Sequence, residues 1–146
     1  LVRDSNDVTD TLTPAERSRR MSLIRAKNTK PELFVRRLVH GMGYRYRLHA
    51  ADLPGTPDLV FRRRKCAIFV HGCFWHRHPD PGCKVARLPK SREEFWTIKL
   101  SRNRERDVAQ VEALENTGWR VLTIWECQLK ETSKLKENIR RFLEVD

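Results

Sequence analysis

Apolar residues change their spacing several times along this 146-residue chain, and each change marks an element. Residues 1–12 have no period and mix their charges, which suits a flexible N-terminal arm. At Thr13 the run Thr-Pro-Ala-Glu has the form of a helix start, with Thr13 as N-cap, Pro14 in the first turn and Glu16 closing a capping box. That helix runs to about Ala26. It carries Arg17, Arg19, Arg20 and Arg25, with Met21, Leu23 and Ile24 available to a core. A second box, Thr29 to Glu32, opens another helix, whose inner side would be Leu33, Phe34, Leu38 and Met42 and whose exit suits Gly43.

The period then becomes two. Tyr44 to Leu48 alternates apolar residues with Arg45 and Arg47 and reads as a half-exposed strand. After a turn at Leu53–Pro57, Asp58–Phe61 and Cys66–Val70 read as an antiparallel hairpin whose tip is Arg62-Arg63-Arg64-Lys65. Beyond an irregular loop, Ser91 to Glu94 is a third capping box, opening a long helix to about Asn116 with Gly118 just past it. Phe95, Ile98, Val108, Val111 and Leu114 would be its inner residues. Trp119 to Trp125 reads as a buried strand and Ser133 to Leu143 as a closing amphipathic helix. The order helix, helix, three strands, helix, strand, helix predicts an α/β fold, a mixed sheet covered by helices, in a single domain over 13–146.

Charge narrows the partner. Thirty Lys and Arg against nineteen Asp and Glu give a net charge of +11. Such an excess points to a polyanion, most often nucleic acid, because neutralised phosphates release condensed counterions. No apolar stretch approaches the ~20 residues that span a bilayer, and the N-terminus has no signal-peptide core. An intracellular, cytoplasmic setting is therefore expected, in which four cysteines favour metal binding or buried thiols over disulfides.

The irregular loop concentrates the chemistry. CFWHRHPDPGC, residues 73–83, follows Val70-His71-Gly72 directly. Cys73, an imidazole, Cys83 and Cys127 form a set of soft donors suited to a closed tetrahedral zinc site. Spacing leaves the imidazole open between His78 and His76. Cys66 lies within an apolar strand and reads as a buried thiol. Asp58 at the start of one strand and His71 at the end of the next would be brought together by antiparallel pairing. A carboxylate with a backbone carbonyl can hold Mg²⁺, and an imidazole can accept a proton from an attacking water. Asp107 could orient a histidine or be a solvated helix residue, and Glu32 could be only a cap. His40 and His49, without clustered partners, read as surface or satisfied core. Phe74 and Trp75 are either wedges that unstack DNA steps or packing beneath the loop, whereas Trp96, Trp119 and Trp125 read as core.

LPGTPD, CAIFVHGCFWHRH and WRVLTIWEC, together with RRMSLIRAKNTKPE, EFW and RNRERD, closely resemble the very short patch repair endonucleases, the Vsr family, from about Arg17 to Leu129. The resemblance implies a restriction-endonuclease-like fold with structural zinc. It implies Mg²⁺-dependent nicking of double-stranded DNA 5′ to the thymine of a T·G mismatch left by deamination of 5-methylcytosine. Residue by residue, it implies Asp58 and the carbonyl of Val70 as magnesium ligands, His76 as general base, His71 at the phosphate, and Asp107 and Glu32 in support. It assigns Cys73, His78, Cys83 and Cys127 to zinc, and Phe74, Trp75 and Trp96 to intercalation. The arm would grip the minor groove. The enzyme is expected to act as a monomer, with mismatch-repair proteins as candidate partners. Two departures stand out: Val70 replaces a common threonine, and the loop from His78 to Cys83 is longer than the usual pattern. A less selective, restriction-type nuclease on the same fold and a non-catalytic zinc-stabilised DNA-binding module are the alternative readings.

Overall fold

The computed structural model describes residues 13–16 and 28–145. The expected N-terminal arm and the arginine-bearing stretch of the expected first helix lie outside them. At its start, the capping box is present in both directions. The Thr13 amide donates to Glu16 Oε1 at 2.9 Å, and the Glu16 amide to Thr13 Oγ1 at 3.1 Å.

The described elements are α1 (Lys30–Gly41), β1 (Arg47–Leu48), β2 (Leu59–Phe61), β3 (Cys66–His71), α2 (Glu93–Asn116), β4 (Arg120–Trp125), a 3-10 turn (Glu126–Lys130) and α3 (Thr132–Glu144). The four strands form one sheet in the order β1-β2-β3-β4. The first three are antiparallel, whereas β4 runs parallel to β3, with Cys66 opposite Arg120 and His71 opposite Trp125. The expected mixed α/β layering is therefore present.

Period-two alternation sorts the strands' side chains to two faces. Leu59, Phe61, Cys66, Ile68, Val70 and Ile124 share one cluster with Val35 and Val39 of α1 and Leu135, Ile139 and Leu143 of α3. The alternate residues, including Ala67, Phe69 and His71, fall on the other face, across which α2 lies. Each large aliphatic chain buried there contributes roughly 1.5–3 kcal/mol of transfer free energy.

Several details differ from the pattern-based expectation. In α1 the innermost residues are Val35 and Val39, both fully buried, with Leu38 and Met42 beside them, while Phe34 is exposed. In α2 the buried positions are Leu100, Asn103 and Leu114, and Ile98 and Val108 face outward. Each of these helices also buries one polar side chain, Glu32 in α1 and Asn103 in α2. The third capping box does not form. Arg92 takes the N-cap position in a left-handed conformation (φ 58°), with no side-chain cap bond, and its guanidinium lies 5.0 Å from the Phe95 ring centre. The first strand is only Arg47–Leu48, and β4 is mostly half-buried rather than buried. No helix among the described residues is long and apolar enough to cross a membrane.

Candidate active site and metal cluster

One end of the sheet carries the chemistry. The turn before β2 is fixed by Gly55 (φ +77°), where an added Cβ would come within 3.0 Å of Phe69 and 2.9 Å of Gln110 on α2. Only glycine permits that close approach at that backbone angle. The buried Pro57 then directs Asp58 to the sheet end. Asp58 Oδ2 accepts a 2.7 Å hydrogen bond from the amide of Val70 on β3. Burial, opposed by that amide and reinforced by Glu32, pushes the Asp58 carboxyl up to about 6. A carboxylate held dry in this way gains from a cation.

His71, at the end of β3, stacks flat against His76, with ring centres 3.8 Å apart and planes 5° apart. Burial, and then the neighbouring His76, holds the His71 imidazole down at about 3, so it is neutral at physiological pH. Its Nδ1 is buried without a hydrogen-bond partner among the described residues. His76 Nδ1 lies 2.6 Å from Asp107 Oδ2 of α2. The carboxylate accepts from Nδ1–H and leaves Nε2 as the proton acceptor. Asp107 is therefore a positioned partner of His76.

Glu32 does more than cap. Its Oε1 accepts from the Asn28 amide at 3.2 Å, and its Oε2 binds Arg36 and lies 2.6 Å from His49 Nε2. Asp58, Glu32, His71, His76, Asp107 and the backbone of Val70 all line one cavity of about 610 Å³. His49 lines it too, and sequence reasoning missed it. No local pattern signalled it: a backbone bond from the His49 amide to the Asp58 carbonyl, 3.2 Å, sets it across from Asp58 only in the fold.

Beside this cavity, Cys73, His78, Cys83 and Cys127 offer ligand atoms all within 4.8 Å of one another. His78, not His76, joins the cysteines. The Cys127 amide donates to Cys73 Sγ at 3.4 Å, and Cys127 Sγ lies 3.5 Å from His78 Nδ1. Burial pushes the Cys73 thiol up to about 12 and raises that of Cys127. At Cys83 burial is outweighed by the Ala86 amide and by Cys73, and the thiol is lowered. Three sulfurs and one imidazole at this separation fit a tetrahedral divalent ion. Trp125 links this cluster to the cavity, stacking on His78 at 4.2 Å and meeting His71 edge-on at 5.2 Å.

Phe74, Trp75 and Trp96 make a mutual edge-to-face cluster with ring centres 5.0–5.9 Å apart. All three are half-buried. Asn103 Nδ2 donates to the Trp75 carbonyl at 3.1 Å and holds the loop to α2.

The family model for the DNA mismatch endonuclease Vsr matches residues 9–81. A type II nicking enzyme of Xanthomonas oryzae, V.XorIIP, is 48% identical over 137 residues, covering 94% of this chain and 98% of that protein. The DNA mismatch endonuclease Vsr of Escherichia coli is 42% identical over 123 residues, covering 84% and 77% respectively. The type II nicking enzyme V.NmeAIP of Neisseria meningitidis is 38% identical over 136 residues, covering 93% and 95%.

Proposed function

Because the chain belongs to the Vsr family of DNA mismatch endonucleases, we propose that it nicks one strand of duplex DNA 5′ to the thymine of a T·G mismatch by Mg²⁺-dependent hydrolysis. The observation that carries this reading is a single cavity joining Asp58, the Val70 backbone and the His76–Asp107 pair, with an aromatic cluster beside it. The mixed sheet covered by helices suits a restriction-endonuclease-like domain; on this reading it acts as a monomer, preceded by an arm that reaches the minor groove. Mismatch-repair proteins are candidate partners of the enzyme rather than parts of its site.

Asp58 Oδ1, left open by the bond from Val70 to Oδ2, and the Val70 carbonyl would hold magnesium. A carbonyl ligand explains why valine can replace threonine there. When bound, the ion supplies Lewis acidity and offsets charge on the scissile phosphate. His76 Nε2 accepts the proton of the attacking water, while Asp107 holds the ring and stabilises the imidazolium that forms. The water oxygen bonds to phosphorus as the bond to the leaving sugar oxygen breaks. His71, neutral and buried, keeps the His76 ring in plane by stacking. Three thiols and His78 would hold zinc and fix the loop that carries His76.

Strand-resolved cleavage of a panel of single-mismatch duplexes tests the reading. Nicking of T·G at least about 100-fold faster than T·A is expected, since a mispaired step unstacks at lower cost. Equal rates on matched and mismatched sites would instead indicate a less selective nuclease. Mismatch binding without nicking in Mg²⁺ or Mn²⁺ would indicate a binding module.

The aromatic cluster has its own test. Phe74→Ala with Trp75→Ala should lower the T·G over T·A preference by about tenfold or more, given stacking worth ~1–3 kcal/mol per base. The midpoint of thermal unfolding should move much less, because the three rings are only half-buried. A collapsed fold with unchanged preference would return these rings to a packing role.

A further inference from the structure

Resting on the reading of Asp58 as the cation-binding carboxylate, we propose that His49 is a further ligand of the divalent ion held there. The resulting nitrogen donor makes the site favour a transition ion such as Mn²⁺ over Mg²⁺. The pairing of β1 with β2 joins Arg47 to Val60 and Leu48 to Leu59, and beyond the end of β1 a backbone bond carries the chain on to Asp58. The His49 amide donates to the Asp58 carbonyl at 3.2 Å. His49 itself leaves the extended conformation (φ 48°), just past the end of β1. The imidazole and the carboxylate are neighbours all the same, since both line the one cavity and their ligand atoms lie within 4.8 Å of each other.

Glu32 sets the ring's tautomer. His49 Nε2 lies 2.6 Å from Glu32 Oε2, so Nε2–H donates and Nδ1 keeps its lone pair. Nδ1 has no hydrogen-bond partner among the described residues. A carboxylate fixing one nitrogen of an imidazole while the other faces an ion is the usual outer support of a metal-binding histidine. Arg36, paired with Glu32, balances that carboxylate's charge, so Glu32 orients His49 rather than coordinating the ion. One nitrogen of His49 and one oxygen each from Glu32 and Asp58 lie within 4.8 Å of one another. Asp58 Oδ1 is free of hydrogen bonds to described residues, because Val70 binds Oδ2. Mg²⁺ selects oxygen ligands and retains its waters, whereas an imidazole suits transition ions better.

The test is Mn²⁺ binding to the full chain, followed by electron paramagnetic resonance, with Mg²⁺ as competitor and spin-echo detection of coordinated ¹⁴N. The wild-type protein should show imidazole ¹⁴N coupling and bind Mn²⁺ at least tenfold more tightly than Mg²⁺. His49→Gln keeps an N–H for Glu32 and deletes the Nδ1 donor. It should lose the ¹⁴N coupling and about tenfold in Mn²⁺ affinity, while Mg²⁺ affinity changes less than about threefold. His49→Asn serves as a second variant, and His76→Gln should leave the coupling intact. Coupling that persists in both His49 variants, or unchanged Mn²⁺ affinity, overturns the proposal. Mn²⁺ binding unaffected by Asp58→Asn would overturn the reading of Asp58 itself, which separates the two failures.

Discussion

Asp58→Asn is expected to abolish nicking and, at the same time, to stabilise the metal-free protein above pH 6. The loss of activity should be about 10³-fold or more, since the charge stabilisation that depends on this carboxylate is worth several kcal/mol. The gain in stability follows from linkage. Burial raises the folded-state value of Asp58 from 3.8 to about 6. Between those values the native protein holds a proton that the unfolded chain has released, so this group's contribution to stability falls as pH rises. It is present in full below 3.8 and lost above about 6. At pH 8 the ionised carboxylate costs the fold on the order of 3 kcal/mol. Asparagine removes that charge and can still accept from the Val70 amide. Thermal unfolding in a chelator-treated buffer should therefore show the variant roughly 5–10 °C more stable at pH 8 and indistinguishable at pH 4. His71 has the opposite sign: its lowered value gives stability present above the usual histidine range and lost as pH falls toward about 3. Because both proteins contain it, the difference between them isolates Asp58. A gap that is constant with pH would show that Asp58 carries no such cost.

Removing the ion proposed for the cysteine cluster is expected to have the second large effect. Cys127→Ala, or strong chelation of the wild-type protein, should lower the unfolding midpoint by about 10 °C or more, because metal binding at a closed site contributes directly to folding. Nicking should fall at least about 100-fold with it. The reason is mechanical coupling. The cluster begins at Cys73, His76 follows three residues later, and Trp125 stacks on His78 while touching His71. Freed from the ion, the loop would rely on the half-buried aromatic cluster, the Asn103 bond and the His71 stack to hold His76 on Asp107. Cys66→Ala is the control: that thiol is fully buried in β3 but lies outside the cluster. Elemental analysis should find one zinc per wild-type chain, and its rebinding should release protons, because burial keeps the Cys73 thiol protonated up to about 12 without it. Equal midpoints for the Cys127 and Cys66 variants would show that the four donors hold no structural ion.

Much of this arrangement was legible in the order of residues. The hairpin from Asp58 to Val70, a strand at Arg120–Trp125 and the covering helices follow from period and turn chemistry, whereas the parallel pairing of that strand with β3 does not. Three sulfurs within reach of one imidazole were readable as a donor set, because soft ligands concentrated in a Pro- and Gly-rich loop have few other uses. Spacing could not choose between His76 and His78, which alternate within a single loop. The fold does choose. The rings separate to opposite partners, His76 to Asp107 on α2 and His78 to Cys127 and Trp125.

The sequence by itself determined the elements, their order and the kinds of donor available, because local period, capping and side-chain chemistry act over a few residues. Tertiary structure alone decided which donors meet. It buried Glu32 at the head of α1 and joined it to His49 seventeen residues on, stacked His71 on His76, and set His49 across from Asp58. Those contacts depend on strand register and helix placement, which no short-range pattern encodes. For the same reason, apolar spacing misjudged the inner faces of α1 and α2, which are set by what each helix packs against.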